Sequence, residues 1–532
     1  MTIGKTKIKS MCIEIVDSPH LPDDLQGDFL IAGYYARNVA RLRPTIDGAG
    51  HRMQTLAPLL TSSHNAFRPV DLNMGPDGAI YLADWFNPII GHYQASLRHP
   101  NRDKTHGRIW RITAKGRPLH KQPALAEMNA DQLCGQLADP VRRTRQLAKL
   151  RLMDLPKAEA IPAIQKWIDA LKPDDPDLEH KLFEAIGVFE SHEVVNRPLL
   201  ERLLAAKDHR ARAYATRVIA RWHHQLEDPL ALLKQSAIDS HSRVRLEAIV
   251  AASDIRQAGS IIIVAQAADG TKDRFINFAF TQAVHALAKY WKPALLSGKL
   301  QFNHSSHLVR VVGTIGGNEV AGVIRQKIAE ENLEPGEATV LIALLAGIGN
   351  STDAGLALKI GADKPQVLMA LADSARERSL EAPTDAARLI VPALESQDNA
   401  LRLQAIRLSG LWALNEHGAT ISATATDRSG SLPLRLAATE SLGAMKDPSL
   451  IGKLEQLTAP ENAPPIRAAA IKSLATHDVA RAASLTAVLL TKAKAGEVGP
   501  LLSALLQRSR GADELAGALA AKTIPVETAK LM

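Results

Sequence analysis

Residues 83 to 112 read ADWFNPIIGHYQASLRHPNRDKTHGRIWRI. Within this stretch His92, His99 and His106 recur every seven residues, Asp103 lies between the last two, and Arg98, Arg102 and Arg108 stand beside them. Imidazole and carboxylate are the groups of proton transfer and of metal ligation, and a cluster of Asp and Asn also suits calcium. His92, His99, Asp103 and His106 are therefore the candidate metal set. Against it, seven residues along a helix amount to about 10 Å of rise, too far for one shared ion. Pro100 interrupts a continuous helix, and the spacing matches no zinc signature. A structural reading competes: Asp84 closes a strand end by accepting backbone amides, Trp85 and Trp110 pack against neighbouring sheet, and Arg102, Asp103 and Arg108 form a salt-bridged loop. Asp71 and Asp77 read as strand-end and turn residues.

The elements that must position these groups are strands. From Gly27 to about Ala114, short runs of β-formers alternate with turn signals. GDFLIAGYYARNVARLRP offers two strands around 34–37, VDLNMGPDGAIYLADW a strand, a turn at Asp77-Gly78 and a strand, and GRIWRITAKGRP a last strand with a Gly/Pro stop. In AIYLAD, alternation puts Ile80 and Leu82 on one side and Tyr81 and Ala83 on the other. The connection between Trp85 and Gly107 is about 20 residues, a length that is uncommon without structure or function of its own. Part of it, PIIGHYQASL, is expected to form a short helix with Ile89, Ile90, Tyr93 and Leu97 on the sheet, leaving the histidines and arginines at the rim.

The order Asp-Gly, strand, Asp, then Gly-Arg-Ile and strand is how one blade of a β-propeller reads. The run FRPVDLNMGPDGAIYLADWFNPIIGHYQASLRHPNRDKTHGRIWRITAKGRPL resembles the last blade of the large membrane-bound dehydrogenase-like proteins of planctomycetes and verrucomicrobia, whose propeller is of the sugar/sorbosone dehydrogenase type. The upstream LPDDLQGDFLIAGYYARNVARLR is similar to the preceding blade. The resemblance implies oxidation of a sugar or alcohol, electron transfer to a cytochrome c domain, and a periplasmic or cell-envelope location. It also implies pyrroloquinoline quinone, with Ca²⁺, at the propeller mouth. Arg68, Arg98, Arg102 and Arg108 would then meet the quinone carboxylates, and His92 or His106 would serve as the general base. The sequence departs from that pattern: it has room for about two blades, carries no CxxCH haem motif and opens without a secretory h-region. A truncated or split member is expected, inactive alone, with a separately encoded propeller or cytochrome c as partner; a genuine start would place it in the cytoplasm.

From about Pro123 the strand signals give way to helical spacing. Aligning on Arg-x-x-Ala exposes a repeat: Arg145, Arg212, Arg245, Arg402, Arg435 and Arg467 each precede an alanine by three positions, and Arg310 continues the phase. The period is about 33 residues, the signature of a helical solenoid. The ladder arginines are expected to be structural, each pairing with the acid before its own helix or its neighbour's: Asp139, Asp208, Asp239, Asp398 or Glu461. The fold class is thus mostly α, a HEAT-like α-solenoid of roughly ten to twelve repeats preceded by a small β region resembling the last blades of a propeller. The expected division is an N-terminal segment 1–17, a partial propeller 18–120 and the array 123–532.

Composition bounds the rest. The 532 residues carry a net charge of +8, with 16 Lys and Arg against 10 Asp and Glu in 1–122 and 48 against 46 in the remainder. The basic front also holds nine of the 21 aromatic residues, which suits an anionic ligand. Nucleic acid is disfavoured, since no dense basic run or recognition motif occurs. No apolar stretch reaches the roughly 18 residues of a membrane span. Cys12 and Cys134 form no metal or redox motif. No nucleophile elbow, Walker loop or dinucleotide fingerprint is present. The function class competing with the dehydrogenase lineage is a non-catalytic HEAT-repeat scaffold that holds a protein partner.

Overall fold

The computed structural model describes residues 10–90, 98–270, 273–330, 333–445 and 447–532. The chain forms two compact units, 1–291 and 292–532. This division falls well inside the helical array rather than at the expected sheet-to-helix boundary.

Seven strands open the first unit: β1 (Ser10–Ile15), β2 (Phe29–Gly33), β3 (Asn38–Asp47), β4 (Gly50–Thr61), β5 (Pro69–Met74), β6 (Ile80–Asp84) and β7 (Arg108–Ile112). They form two antiparallel up-and-down sheets, one in the order β1-β2-β3-β4 and one in the order β5-β6-β7. β1 falls inside the 1–17 segment, so the sheet begins earlier than expected. Alternation builds the core between the sheets: Leu30, Ala32 and Val39 from the first meet Leu72, Ile80 and Leu82 from the second. The hairpin of β3 and β4 is the longest element of the region and outruns its sheet. β2 pairs with β3 only from Asn38 to Leu42, whereas β4 follows β3 to Asp47 and Gly50.

Helices follow: α1 (Ala130–Gly135), α2 (Arg142–Asp154), α3 (Lys157–Asp169), α4 (Leu178–Ser191), α5 (Arg197–Leu204), α6 (His209–Trp222), α7 (Pro229–Ala237), α8 (Ser242–Asp254), α9 (Ser260–Ala267), α10 (Arg274–Ala286) and α11 (Ala288–Leu296). In the first unit α4, α6, α8 and α10 lie side by side as one layer. The second unit repeats the plan, with helices such as Asn399–Leu411, Leu432–Ala444 and Pro464–Leu474 packed on one another in series. Small residues allow the close approach. Gly410 lies against Ser441 and Gly443 against Ser473, and those serines donate to Ile406 O and Thr439 O of the preceding helix at 2.9 and 3.0 Å. The weakest stretch of the sequence repeat still folds as helices, Pro335–Ile348 and Pro365–Glu377. Gly316, with φ of 65°, and Gly349 end helices.

The arginine ladder has a common geometry. Arg212 donates to Ala206 O and Lys207 O of its own inter-helix loop at 2.9 and 2.8 Å, and grips Asp239 of the next repeat with Nε and Nη2 at 2.7 and 2.9 Å. Arg145 repeats this with Asp139 O, Pro140 O and Glu184. Arg467 does so with Pro460 O and Glu497, and Arg435 with Ala425 O and Asn462. Arg245 reaches Asp269 O at 3.5 Å, while the buried Nε of Arg402 has no acceptor. For Arg145, Arg212 and Arg467 an acid of the next repeat is thus gripped, and Arg145 also pairs with Asp17. The preceding acid caps the arginine's own helix, as Asp208 does through Arg210 N at 2.8 Å and Asp398 through Ala400 N at 2.7 Å.

Candidate functional site

The first place to look is the rim of the second sheet. Asp84 is buried and saturated. Its Oδ1 accepts from Arg68 N at 2.8 Å and Phe86 N at 3.0 Å, and its Oδ2 from Arg108 Nε at 3.0 Å and Trp110 Nε1 at 3.2 Å. Asp77 accepts from Ala79 N, the Tyr81 hydroxyl and Arg111, with Gly78 at φ 78° completing the turn. Burial pushes the Asp77 carboxyl up, but the hydrogen bond from Arg111 and its companions hold it below the usual carboxylate range. Asp71 is spent on Leu72 N and Asn73.

The arginines are committed to the protein. Arg108 is tied to Asp84 and lies over the Phe86 ring at 3.8 Å. Arg68 is buried, donates Nη1 to Phe67 O at 2.9 Å, and retains one unmet donor at Nε. Arg102 donates to Ile89 O at 3.3 Å. Three of the four arginines expected to meet the quinone's carboxylates, Arg68, Arg102 and Arg108, thus have partners within the protein. His106 contacts Asp103 at 2.9 Å, and backbone amides of Thr105 and His106 also bind that carboxylate, which lies below its usual pKa range. Asp103 therefore pairs with His106, not with the loop arginines. His99 accepts from Asn101 N. His92, Tyr93 and Leu97, and with them the expected short helix, lie outside the described residues. Among the described residues no three His, Cys, Asp or Glu side chains are grouped to hold a metal. Trp85 stacks on Tyr34 at 5.9 Å, so it does bridge the two sheets, whereas Trp110 is 44% exposed on an open edge strand.

The larger site was not visible in the sequence. The tip of the β3–β4 hairpin reaches α10: Ala49 N donates to Asp273 Oδ2 at 2.5 Å, and Arg274 pairs with Asp47 at 3.3 Å. Gly48 has φ of 61°, and a side chain there would overlap the Asp273 carboxylate; one at Gly50 would strike the Phe275 ring. The hairpin thus arches over the first turns of α4, α6 and α8 and leaves an open groove of about 1440 Å³. Phe183 and Tyr214 form its floor, edge to face at 4.6 Å. The Tyr214 hydroxyl donates to Glu190 at 2.5 Å, and burial with that carboxylate drives its pKa far up. Ile46, 64% exposed, lies on the roof.

Four histidines line the groove: His51, His180, His209 and His241. The rings of His209 and His241 stack at 3.6 Å. Burial, then the neighbouring His209, lowers the His241 pKa; burial, then Arg145, lowers that of His180. The signal in the sequence is position: His209 and His241 stand three and four residues before Arg212 and Arg245, one histidine at each helix start. The pair in RWHHQ belongs elsewhere. α6 ends at Trp222, so His223 and His224 are not helical neighbours and their rings meet at 3.6 Å. Both cysteines are free thiols; burial pushes Cys134 up to about 12.

Comparison with known proteins is sparse. Residues 7–116 match a family model described as a domain of unknown function, DUF7133. A search of curated proteins finds no match. Among solved structures, Kap121p bound to Ste12p is similar at 12% identity and a TM-score of 0.38, over 73% of this chain and 45% of that one. Kap121p bound to the SUMO protease Ulp1p is similar at 10% identity and 0.37, over 74% and 49%. The chain therefore spans less than half the length of those structures. No helix among the described residues is long and apolar enough to cross a membrane. The chain thus consists of a β region similar to that domain model, followed by a HEAT-like helical solenoid.

Proposed function

We propose that this chain is a non-catalytic protein-binding scaffold whose working surface is the arched groove of the first unit. One observation carries the reading: an open groove of about 1440 Å³ lies between the hairpin and the solenoid floor, while Asp84, Asp77 and Arg108 of the sheet rim are paired within the protein. A solenoid face of this kind presents side chains from successive repeats to an extended partner. The two up-and-down sheets support descent from the propeller of a dehydrogenase-like protein of the cell envelope. Electron transfer and pyrroloquinoline quinone belong to that lineage; the commitments of Arg68, Arg102 and Arg108 speak against their use here.

Two measurements test this together. Purified chain with pyrroloquinoline quinone and Ca²⁺ is assayed for dye reduction with mixed sugars and alcohols; turnover overturns the scaffold reading. A photoreactive residue at position 46 is used to cross-link partners in cells. The scaffold reading expects polypeptide adducts that vanish when Gly48→Arg displaces the hairpin tip.

A further inference from the structure

We infer that the groove takes an extended segment of a partner protein that inserts a lysine or arginine flanked by an apolar residue. This rests on the scaffold reading and names what the scaffold holds.

Size sets the class of ligand. Small-molecule sites run to roughly 300–1,000 Å³, and this groove is larger at about 1440 Å³ and open. Its roof suits an extended chain, because beyond Leu42 the β3 edge of the hairpin, in which only Pro44 lacks an N–H, has no partner strand among the described residues, and a free strand edge exchanges backbone hydrogen bonds with a peptide. The apolar contacts are Ile46 above and the Phe183–Tyr214 pair below.

Charge sets the side chain. Six carboxylates line the groove: Asp174, Asp175, Asp177, Glu179, Asp208 and Glu247. Four cations join them: Lys207, Arg210, Arg217 and Arg243. All three arginines are already paired, Arg210 with Asp208 at 2.6 Å, and Arg217 and Arg243 with Glu247 at 2.8 and 2.6 Å. Asp175 is paired with Lys181 at 2.5 Å. Among the described residues Asp174, Asp177 and Glu179 have no cation at ion-pair distance, and Glu179 accepts only the amides of Lys207 and Asp208. With neutral histidines the lining is two charges negative, inside a chain whose total is +8. A cationic side chain is the complement.

The same lining makes the contact sensitive to acid. Burial lowers the pKa values of His180 and His241, so both are uncharged at neutral pH; protonating these two cancels the two negative charges of the lining. Close by, Arg145 and Arg212 oppose that protonation, while Asp17, Asp177, Glu184, Asp208 and Asp239 favour it. Acid therefore weakens the hold on a cationic ligand.

The test uses the full chain and three labelled, end-blocked peptides, read by fluorescence anisotropy: Gly-Lys-Leu-Lys-Leu-Lys-Gly and its counterparts with glutamate or serine in place of lysine. The lysine peptide is expected to bind at least about tenfold tighter than either counterpart. Asp174→Asn with Asp177→Asn, both on an exposed rim, is expected to weaken it about three- to tenfold. Ile46→Ser is expected to weaken all three peptides, and lowering the pH from 7.5 to 5.5 the lysine peptide alone. Preference for the glutamate or serine peptide that still depends on Ile46 overturns the cationic assignment and leaves the scaffold reading standing. Lysine-peptide binding indifferent to both variants overturns the site. Failure of every peptide to bind overturns the inference, and the cross-linking at position 46 then decides the scaffold reading separately.

Discussion

Replacing Arg212 by alanine tests whether the ladder holds the solenoid together. Its guanidinium makes four hydrogen bonds, two to loop carbonyls and a bidentate pair to Asp239. The side chains of Arg212 and Asp239 are only 17% and 10% exposed, so solvent cannot replace what is lost. Breaking a buried charge pair costs about 3–5 kcal/mol, and partial exposure brings the expectation here to about 3 kcal/mol. Asp239 sits low because Arg212, with His241 N, outweighs the effect of burial, so its pKa should rise in the variant. A single unfolding free energy is poorly defined for a repeat array, so native-state hydrogen exchange is the right assay. Amides of α6 and α8 should exchange about 100-fold faster, and those of residues 292–532 should be unchanged. Arg210→Ala is the control: Arg210 is 81% exposed and pairs only with Asp208, so its loss should register within about 0.5 kcal/mol. Equal effects from the two variants, or less than about a threefold change in exchange for Arg212→Ala, would refute the reasoning.

Other outcomes follow from the same structure. Asp84→Ala strands four donors, among them Arg108 and Trp110 Nε1, and should cost the sheet about 3 kcal/mol, read as an earlier tryptophan-fluorescence transition. Gly48→Ala combines a φ of 61° with overlap on Asp273; limited proteolysis should cut within 44–51 in the variant and spare the wild type. His180 and His241 have folded pKa values below the ordinary 6.5. The unfolded chain therefore binds protons first as pH falls, and exchange protection of α4 and α8 should decline below about pH 6.5 and be flat above it; constant protection from pH 7.5 to 5 would contradict this. Cys134, with its thiol held near 12, should stay unreactive to a disulfide reagent at pH 8 until the chain is denatured.

The helical array was legible because its signal is periodic: Arg-x-x-Ala at a steady interval and acids at helix starts. Five strands of the sheet region were legible for a similar reason, since alternation in FLIAG or AIYLAD is a local pattern. β1 was missed because SMCIEI is short and precedes any turn signal, and β4 because GHRMQTLAPLLT alternates poorly. The groove was illegible for a different reason. It depends on Ala49 meeting Asp273, 224 residues away, and no local pattern encodes that contact. The histidine-rich loop drew notice by composition, yet its chemistry is mostly self-satisfaction: His106 with Asp103, Arg108 with Asp84. The histidines that share a cavity are the scattered ones, far apart in sequence.

The anchored hairpin has a mechanical consequence. A helical solenoid is a spring whose pitch changes by small rotations at every repeat interface. In the first unit the sheet is fixed at one end, through Asp17 on Arg145 of α2 at 3.0 Å, and the hairpin tip is pinned to α10. The hairpin is a tie-rod across the turns between. Bending those repeats requires stretching a paired β-ribbon or tearing its tip from Asp273, so their curvature is set before any partner arrives. A partner here meets a surface with its shape already fixed and loses less entropy on ordering it.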